Sequence, residues 1–185
     1  MLKKPEGYDE VKEFTEFEQL EAGGHELTIL KIEEKEQWKA LDIFFDTTPT
    51  DKQPNYFSKN HTKGNYYHGQ FRLFMPDESK GKDLYDINNR NLKTFITSVE
   101  HSNEGFKFDW SSWSVFKNKK VGGCFGEEEY FNNRGEIRKS VKLRWFCSIG
   151  KIGEQSIPRV KEVERVSTSE YLDTVKPNSD LPFEL

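Results

Sequence analysis

Positive charge and aromatic rings alternate along this chain in a pattern suited to a polyanion that carries flat rings. In segment 136–149, Arg138, Ser140, Lys142, Arg144 and Phe146 occupy alternate positions. Successive side chains of a strand point to opposite faces, so these five share one face. Ile137, Val141, Leu143, Trp145 and Cys147 share the other and read as core. Cations can track phosphates, and Phe146 offers a ring on which a base can stack, worth about 1–3 kcal/mol per base. Segment 66–74 repeats the theme with Tyr66, Arg72 and Phe74. The polar loop before it interleaves Lys52, Tyr56, Phe57, Lys59 and Lys63. Lys117, Lys119 and Lys120 follow an aromatic run containing Phe106, Phe108, Trp110, Trp113 and Phe116, which reads mainly as core filling.

Signatures of catalysis are missing. The sequence has no phosphate-binding loop of the GxxxxGK[ST] type, no HExxH and no GxSxG. Glu127, Glu128 and Glu129 are adjacent, and neighbours on a strand point to opposite faces, so they read as a solvated acidic patch. Cys124 and Cys147 lack partners at metal-ligand spacing and read as reduced, buried thiols. No enzyme activity, metal or cofactor is expected.

These residues need a frame, and the periodicity supplies one. Segments 25–33 and 38–46 alternate as strands, the first with a bulge near Leu30. Within 38–46, Leu41, Ile43 and Phe45 face one way, and Ala40, Asp42 and Phe44 the other. Segment 66–75 is a third strand. Leu84, Ile87, Leu92, Phe95, Ile96 and Val99 in segment 84–101 predict an amphipathic helix, best from about Asn91 to Glu100. Segments 120–131 and 136–149 are two further strands joined by a turn at Asn132–Gly135, the first of them bent by Gly122, Gly123 and Gly126. Five strands with a helix between the third and fourth predict a mainly β chain with one helix, a β-barrel of OB-fold-like organisation. Other small α+β folds share that order of elements.

Composition bounds the rest. The 185 residues are 34% hydrophobic and 32% charged, with 14% aromatic. The net charge of −4 is segregated: −6 over residues 1–36, +6 over 37–161 and −4 over 162–185. A basic middle between acidic ends suits a phosphate-binding body with acidic extensions. The expected organisation is an acidic N-terminal arm or short helix (1–22), a nucleic-acid-binding domain (23–158) and an acidic, mobile tail (159–185). Tyr8, Val11, Phe14 and Phe17 would form one stripe of the arm. No apolar run approaches a membrane span, and the first residues lack a signal-peptide core, so no membrane is expected as partner.

The tail ends with Ser179, Asp180, Leu181, Pro182, Phe183, Glu184 and Leu185. Leu181 and Phe183 on a polar tail have no core of their own. They suit a small apolar pocket on a partner protein, with Asp180 meeting basic residues at its rim.

Three stretches resemble a replication-region protein family of Gram-positive phages and prophages. They are Tyr8 through Phe17-Glu18-Gln19-Leu20 to Gly23-Gly24, Phe95-Ile96-Thr97-Ser98-Val99-Glu100 with Ser102 to Phe106, and Val121-Gly122-Gly123 with Phe125 to Tyr130. The resemblance spans roughly residues 8–150. It implies similarity to phage single-stranded DNA-binding proteins with an OB-fold, working in replication or recombination in the cytoplasm of a bacterial host. The tail is similar to the acidic Pro-Phe tip by which bacterial single-stranded DNA-binding proteins recruit enzymes. Asp180, Pro182 and Phe183 match it, while Glu184 and Leu185 extend beyond the Phe. The implied partners are single-stranded DNA and, through the tail, phage or host replication or recombination proteins. Self-association into a homo-oligomer stays open. The alternative is a phage interaction protein that redirects or inhibits a host factor without binding nucleic acid.

Overall fold

A computed structural model describes residues 4–8, 19–59 and 69–163. The expected arm helix, the loop residues Lys63 and Tyr66, and the tail tip lie outside the described residues.

Five strands form one antiparallel sheet: β1 (Gly23–Lys35), β2 (Ala40–Thr47), β3 (Gln70–Phe74), β4 (Lys120–Phe131) and β5 (Ile137–Cys147). Their order across the sheet is β3-β2-β1-β4-β5. A short helix α1 (Tyr56–Lys59) follows β2, and a long helix α2 (Lys82–Ser102) lies between β3 and β4. Leu27, Ile29, Leu41, Ile43, Phe45, Val121 and Phe125 occupy alternate inward positions and are buried. Leu92, Phe95, Ile96 and Val99 of α2 join them in one core.

The sheet curls strongly. In a flat five-stranded sheet the outer strands would lie about 19 Å apart. Here Phe71 of β3 and Phe146 of β5, the two ends of the order, meet with ring centroids 5.3 Å apart. Phe95 of α2 stands against Phe146 at 4.9 Å, so the helix packs over this seam.

α2 matches the segment 84–101 whose apolar spacing predicted it and extends well before its best-marked part, Asn91–Glu100. Its first half exposes Leu84 and Ile87, while its buried residues begin at Leu92.

Two bulges set the faces. In β1 the register slips between Ile29 and Lys31, leaving Leu30 as the extra residue, where the sequence placed it. In β5 the pairing jumps from Phe125–Leu143 to Cys124–Trp145, leaving Arg144 extra. That second bulge overturns the strict alternation expected for 136–149. Leu143 stays inward, but beyond Arg144 the faces exchange: Phe146 turns into the core, 4% exposed, and Trp145 turns outward.

The outer side of β4 and β5 is covered by the chain that follows. A 3₁₀ turn over Ile149–Glu154 leads into a strap running to residue 163. It lies close because glycine makes room. A Cβ on Gly122 would sit 2.9 Å from Ile152 Cγ1, and one on Gly126 would sit 2.8 Å from Pro158 Cβ. Lys161 then pairs with β4: its N–H donates to the Glu127 carbonyl (3.0 Å), and its carbonyl accepts from Glu129 N–H (2.9 Å). Ordered packing therefore runs a few residues past the expected domain end at 158.

Candidate functional site

Among the described residues, no such strap crosses the outer side of β1, β2 and β3. Cross-strand neighbours share a face, so register places Glu33, Asp42 and Arg72 in one row. Lys31, Phe44 and Gln70 form the next, and Lys35, Ala40 and Phe74 the third. Lys31, Gln70 and Phe74 are exposed, Phe74 by 50%. Trp38, in the 3₁₀ turn Glu36–Trp38 between β1 and β2, is 49% exposed at the same end.

Arg72 organises this surface. Its Nε donates to Asp42 Oδ1 at 2.7 Å and its Nη2 to Asp42 Oδ2 at 2.8 Å, a two-point fork. Its guanidinium lies over the Trp38 ring, 4.1 Å from the centroid. The hydrogen bond from Arg72 holds the almost fully buried Asp42 carboxyl below its usual range, and Asp42 raises the Arg72 pKa in return. In the next row Lys31 Nζ lies 4.3 Å from the Phe44 ring centroid. Glu33 bridges Lys31 (2.5 Å) and Lys35 (2.7 Å), whose hydrogen bonds pull its carboxyl down to about 2. The face thus offers rings for stacking and cations already shaped by carboxylates that a phosphate could replace.

Of the residues expected from sequence, Arg72 and Phe74 come together here. Trp38, Lys31 and Phe44 join them and were not singled out. Alternation over 38–46 had already turned Phe44 away from the core and put Trp38 on the same side, so both places were legible; the structure sets Trp38 in the turn just before β2.

The other expected residues are dispersed. Phe57 is 8% exposed, packed edge-on to Phe45 at 5.5 Å, and belongs to the core instead of a base-binding surface. It is held there because the Asp46 carboxylate accepts from the N–H groups of Phe57 (2.9 Å) and Ser58 (3.2 Å), capping α1. The adjacent Tyr56 ring packs against Phe57 at 5.2 Å. Lys52 pairs with Glu21 at 2.9 Å, and Lys59 is exposed at the end of α1. The same loop is pinned by a buried pair, His25 Nδ1 to Asp51 Oδ1 at 2.9 Å.

The expected cation-and-ring face of β5 is corrected on two counts. Phe146 is core, as described. Arg144 donates from Nη2 to the Glu127 carbonyl at 2.7 Å and lies near Glu128, so it ties β5 to β4. Lys142 sits 3.7 Å from Glu128, and Arg138 2.8 Å from Glu136. Glu127 and Glu128 therefore partner Lys139, Lys142 and Arg144, and Glu136 partners Arg138. Lys117 and Lys120 are exposed and have no acidic partner among the described residues; Lys119 Nζ lies 4.7 Å from the Phe106 ring centroid.

Among the described residues, no group of His, Cys, Asp and Glu could hold a metal ion, and no helix is long and apolar enough to cross a membrane. Cys124 and Cys147 are free thiols with sulfurs 3.9 Å apart; the Cys147 sulfur and burial push the Cys124 thiol up. No family model matches this chain, and no curated protein matches it either.

Proposed function

We propose that this protein binds single-stranded DNA without sequence preference and without catalysis, as a phage replication or recombination protein. The observation that carries the reading is the Asp42–Arg72–Trp38 stack beside exposed Phe74 and the Lys31–Phe44 pair, on the outer side of β1, β2 and β3. A guanidinium held over an indole ring presents both a phosphate ligand and the edge of a stacking platform. Sequence-tolerant single-strand binding combines these two elements.

The topology supports an OB-fold-like barrel. The order β3-β2-β1-β4-β5, with α2 between β3 and β4, is that of a five-stranded Greek-key barrel opened between β3 and β5. In such barrels the β2–β3 face and the β1–β2 turn take up oligonucleotides, and Trp38, Arg72 and Phe74 stand there. This part of the argument is analogy of fold, and the weight rests on the side chains. Recruitment of a replication or recombination protein through Asp180, Leu181, Pro182 and Phe183 completes the proposal.

Titration with oligo(dT), followed by tryptophan quenching at two salt concentrations, tests it. Binding at low salt is expected, weakening steeply as salt rises because counterions are released from neutralised phosphates. No binding at low salt would sink the proposal and leave the protein-only alternative standing.

A further inference from the structure

A second ring is displayed outside the face just described. Residues 103–120 form a knuckle between α2 and β4, clamped at both ends by one side chain. Asn103 Nδ2 donates to the Val99 and Lys120 carbonyls (2.7 and 2.8 Å), and its Oδ1 accepts from Lys120 N–H (3.0 Å). Phe116 is fully buried, and Phe106, Phe108 and Trp113 pack partly against the core. Phe108 stacks on Trp113 at 5.0 Å. Trp110 departs from this pattern: it rests on Phe108 at 5.0 Å and stays 64% exposed.

The backbone is bent to keep it there. Trp110 has φ 63°, a left-handed conformation uncommon for a bulky side chain. The turn is fixed by Asp109, whose carboxylate accepts from Ser111 N–H (3.1 Å) and Ser111 Oγ (2.6 Å). An apolar ring kept in water at a strained position points to a use for it.

The surroundings indicate what the ring meets. Lys117 and Lys120 are exposed cations without acidic partners among the described residues, and Lys119 lies over Phe106. Glu104 and Asp109 are the acids on the knuckle itself, and Lys107 is paired with Glu100 at 3.0 Å. The knuckle is also tied to β1 at its bulge: Asn118 N–H donates to the Ile29 carbonyl (2.8 Å), and Ile29 N–H to the Lys119 carbonyl (2.9 Å). Two residues on is Lys31, the cation over Phe44 on the open face.

We infer that Trp110, with Lys117 and Lys120, is a separate base-stacking site that lengthens the single-strand footprint beyond the Trp38–Arg72 face. It rests on the single-strand reading, yet it predicts something that reading does not: a dependence on oligonucleotide length. Wild type, Trp110→Ala and Trp110→Phe are titrated with a dT series from about 4 to about 16 nucleotides, the span of site sizes of one such barrel. Trp110→Ala should bind the shortest competent oligonucleotides as wild type does. It should lose the affinity gained with longer ones, about 5- to 160-fold for one lost stack, and Trp110→Phe should restore most of it. In a protein with Lys117→Gln and Lys120→Gln, the salt slope should fall by about 1.4 for the long oligonucleotides alone. Wild type that binds no oligonucleotide refutes the underlying reading. Wild type that binds, with Trp110→Ala equal to it at every length and the salt slope of the lysine variant unchanged, overturns this inference alone. That result would leave the knuckle a protein-docking surface.

Discussion

Replacing Arg72 with Ala separates two roles that meet in one side chain. On the stability side it removes two charge-assisted hydrogen bonds to Asp42, each worth about 1.5–3 kcal/mol, and the contact with Trp38, about 0.5–1 kcal/mol. Arg72 remains about a third open to water, which screens the pair, so the net loss should be about 2–3 kcal/mol. The pH dependence gives the loss a signature. Arg72 holds the folded Asp42 pKa below its unfolded value, so the stabilisation is complete above about pH 4 and disappears as pH falls through the folded value. In the variant the same buried carboxyl lacks its cation, and burial raises its pKa. The variant's deficit is then largest near neutrality and shrinks as acid protonates Asp42. Urea unfolding of both proteins at pH 7, 5 and 4 measures this directly. A deficit below about 0.5 kcal/mol at pH 7, or one unchanged down to pH 4, would refute the argument. On the binding side the variant should lose affinity for oligo(dT), and its salt slope should fall by about 0.7, one phosphate contact on a single strand.

Glu33→Gln should tighten oligo(dT) binding several-fold at low salt, because it frees Lys31 and Lys35 from a carboxylate that is ionised at any pH well above about 2. Unchanged or weaker binding in the same titration would show that Glu33 orients those lysines productively. Phe146→Ala should cost about 3–5 kcal/mol in urea unfolding, as expected for removal of a buried ring that touches Phe45, Phe71 and Phe95. A folded, equally stable Phe146→Ala protein with impaired binding would return this residue to the surface.

What the sequence revealed followed from what a single strand or helix knows about itself. Leu30 breaks the alternation of its own strand, so its bulge could be read directly. The Arg144 bulge belongs to a pair of strands. In segment 136–149 Lys139 interrupts the apolar face and Trp145-Phe146-Cys147 run together, but neither marks Arg144 as the extra residue, and the slip is set where β4 and β5 adjust their register between Cys124 and Phe125. Phe146 was therefore misplaced by one face, and the expected β5 surface lost its ring. Phe57 failed for a related reason: it sits in a polar loop, and only Asp46, eleven residues earlier, folds that loop back so that its ring enters the core. Arg72 and Phe74 were found because β3 is short and regular, and nothing intervenes to change their face. Trp110 occupies a turn, where neither periodicity exists to mark a displayed ring, whereas the alternation of 38–46 already put Trp38 on the face of Ala40, Asp42 and Phe44.

The strap across β4 and β5 also decides how the body carries load. A pull on the chain beyond residue 163 meets the Val163 N–H bond to the Glu129 carboxylate and then the two hydrogen bonds of Lys161 to β4. Behind them Pro158 lies close to Gly126 and Ile152 close to Gly122, so these contacts stand between the pull and the β4–β5 ladder. They also lie on the opposite half of the sheet from Trp38 and Arg72. The glycines that look like weak points in β4 are the cleats to which the line is made fast.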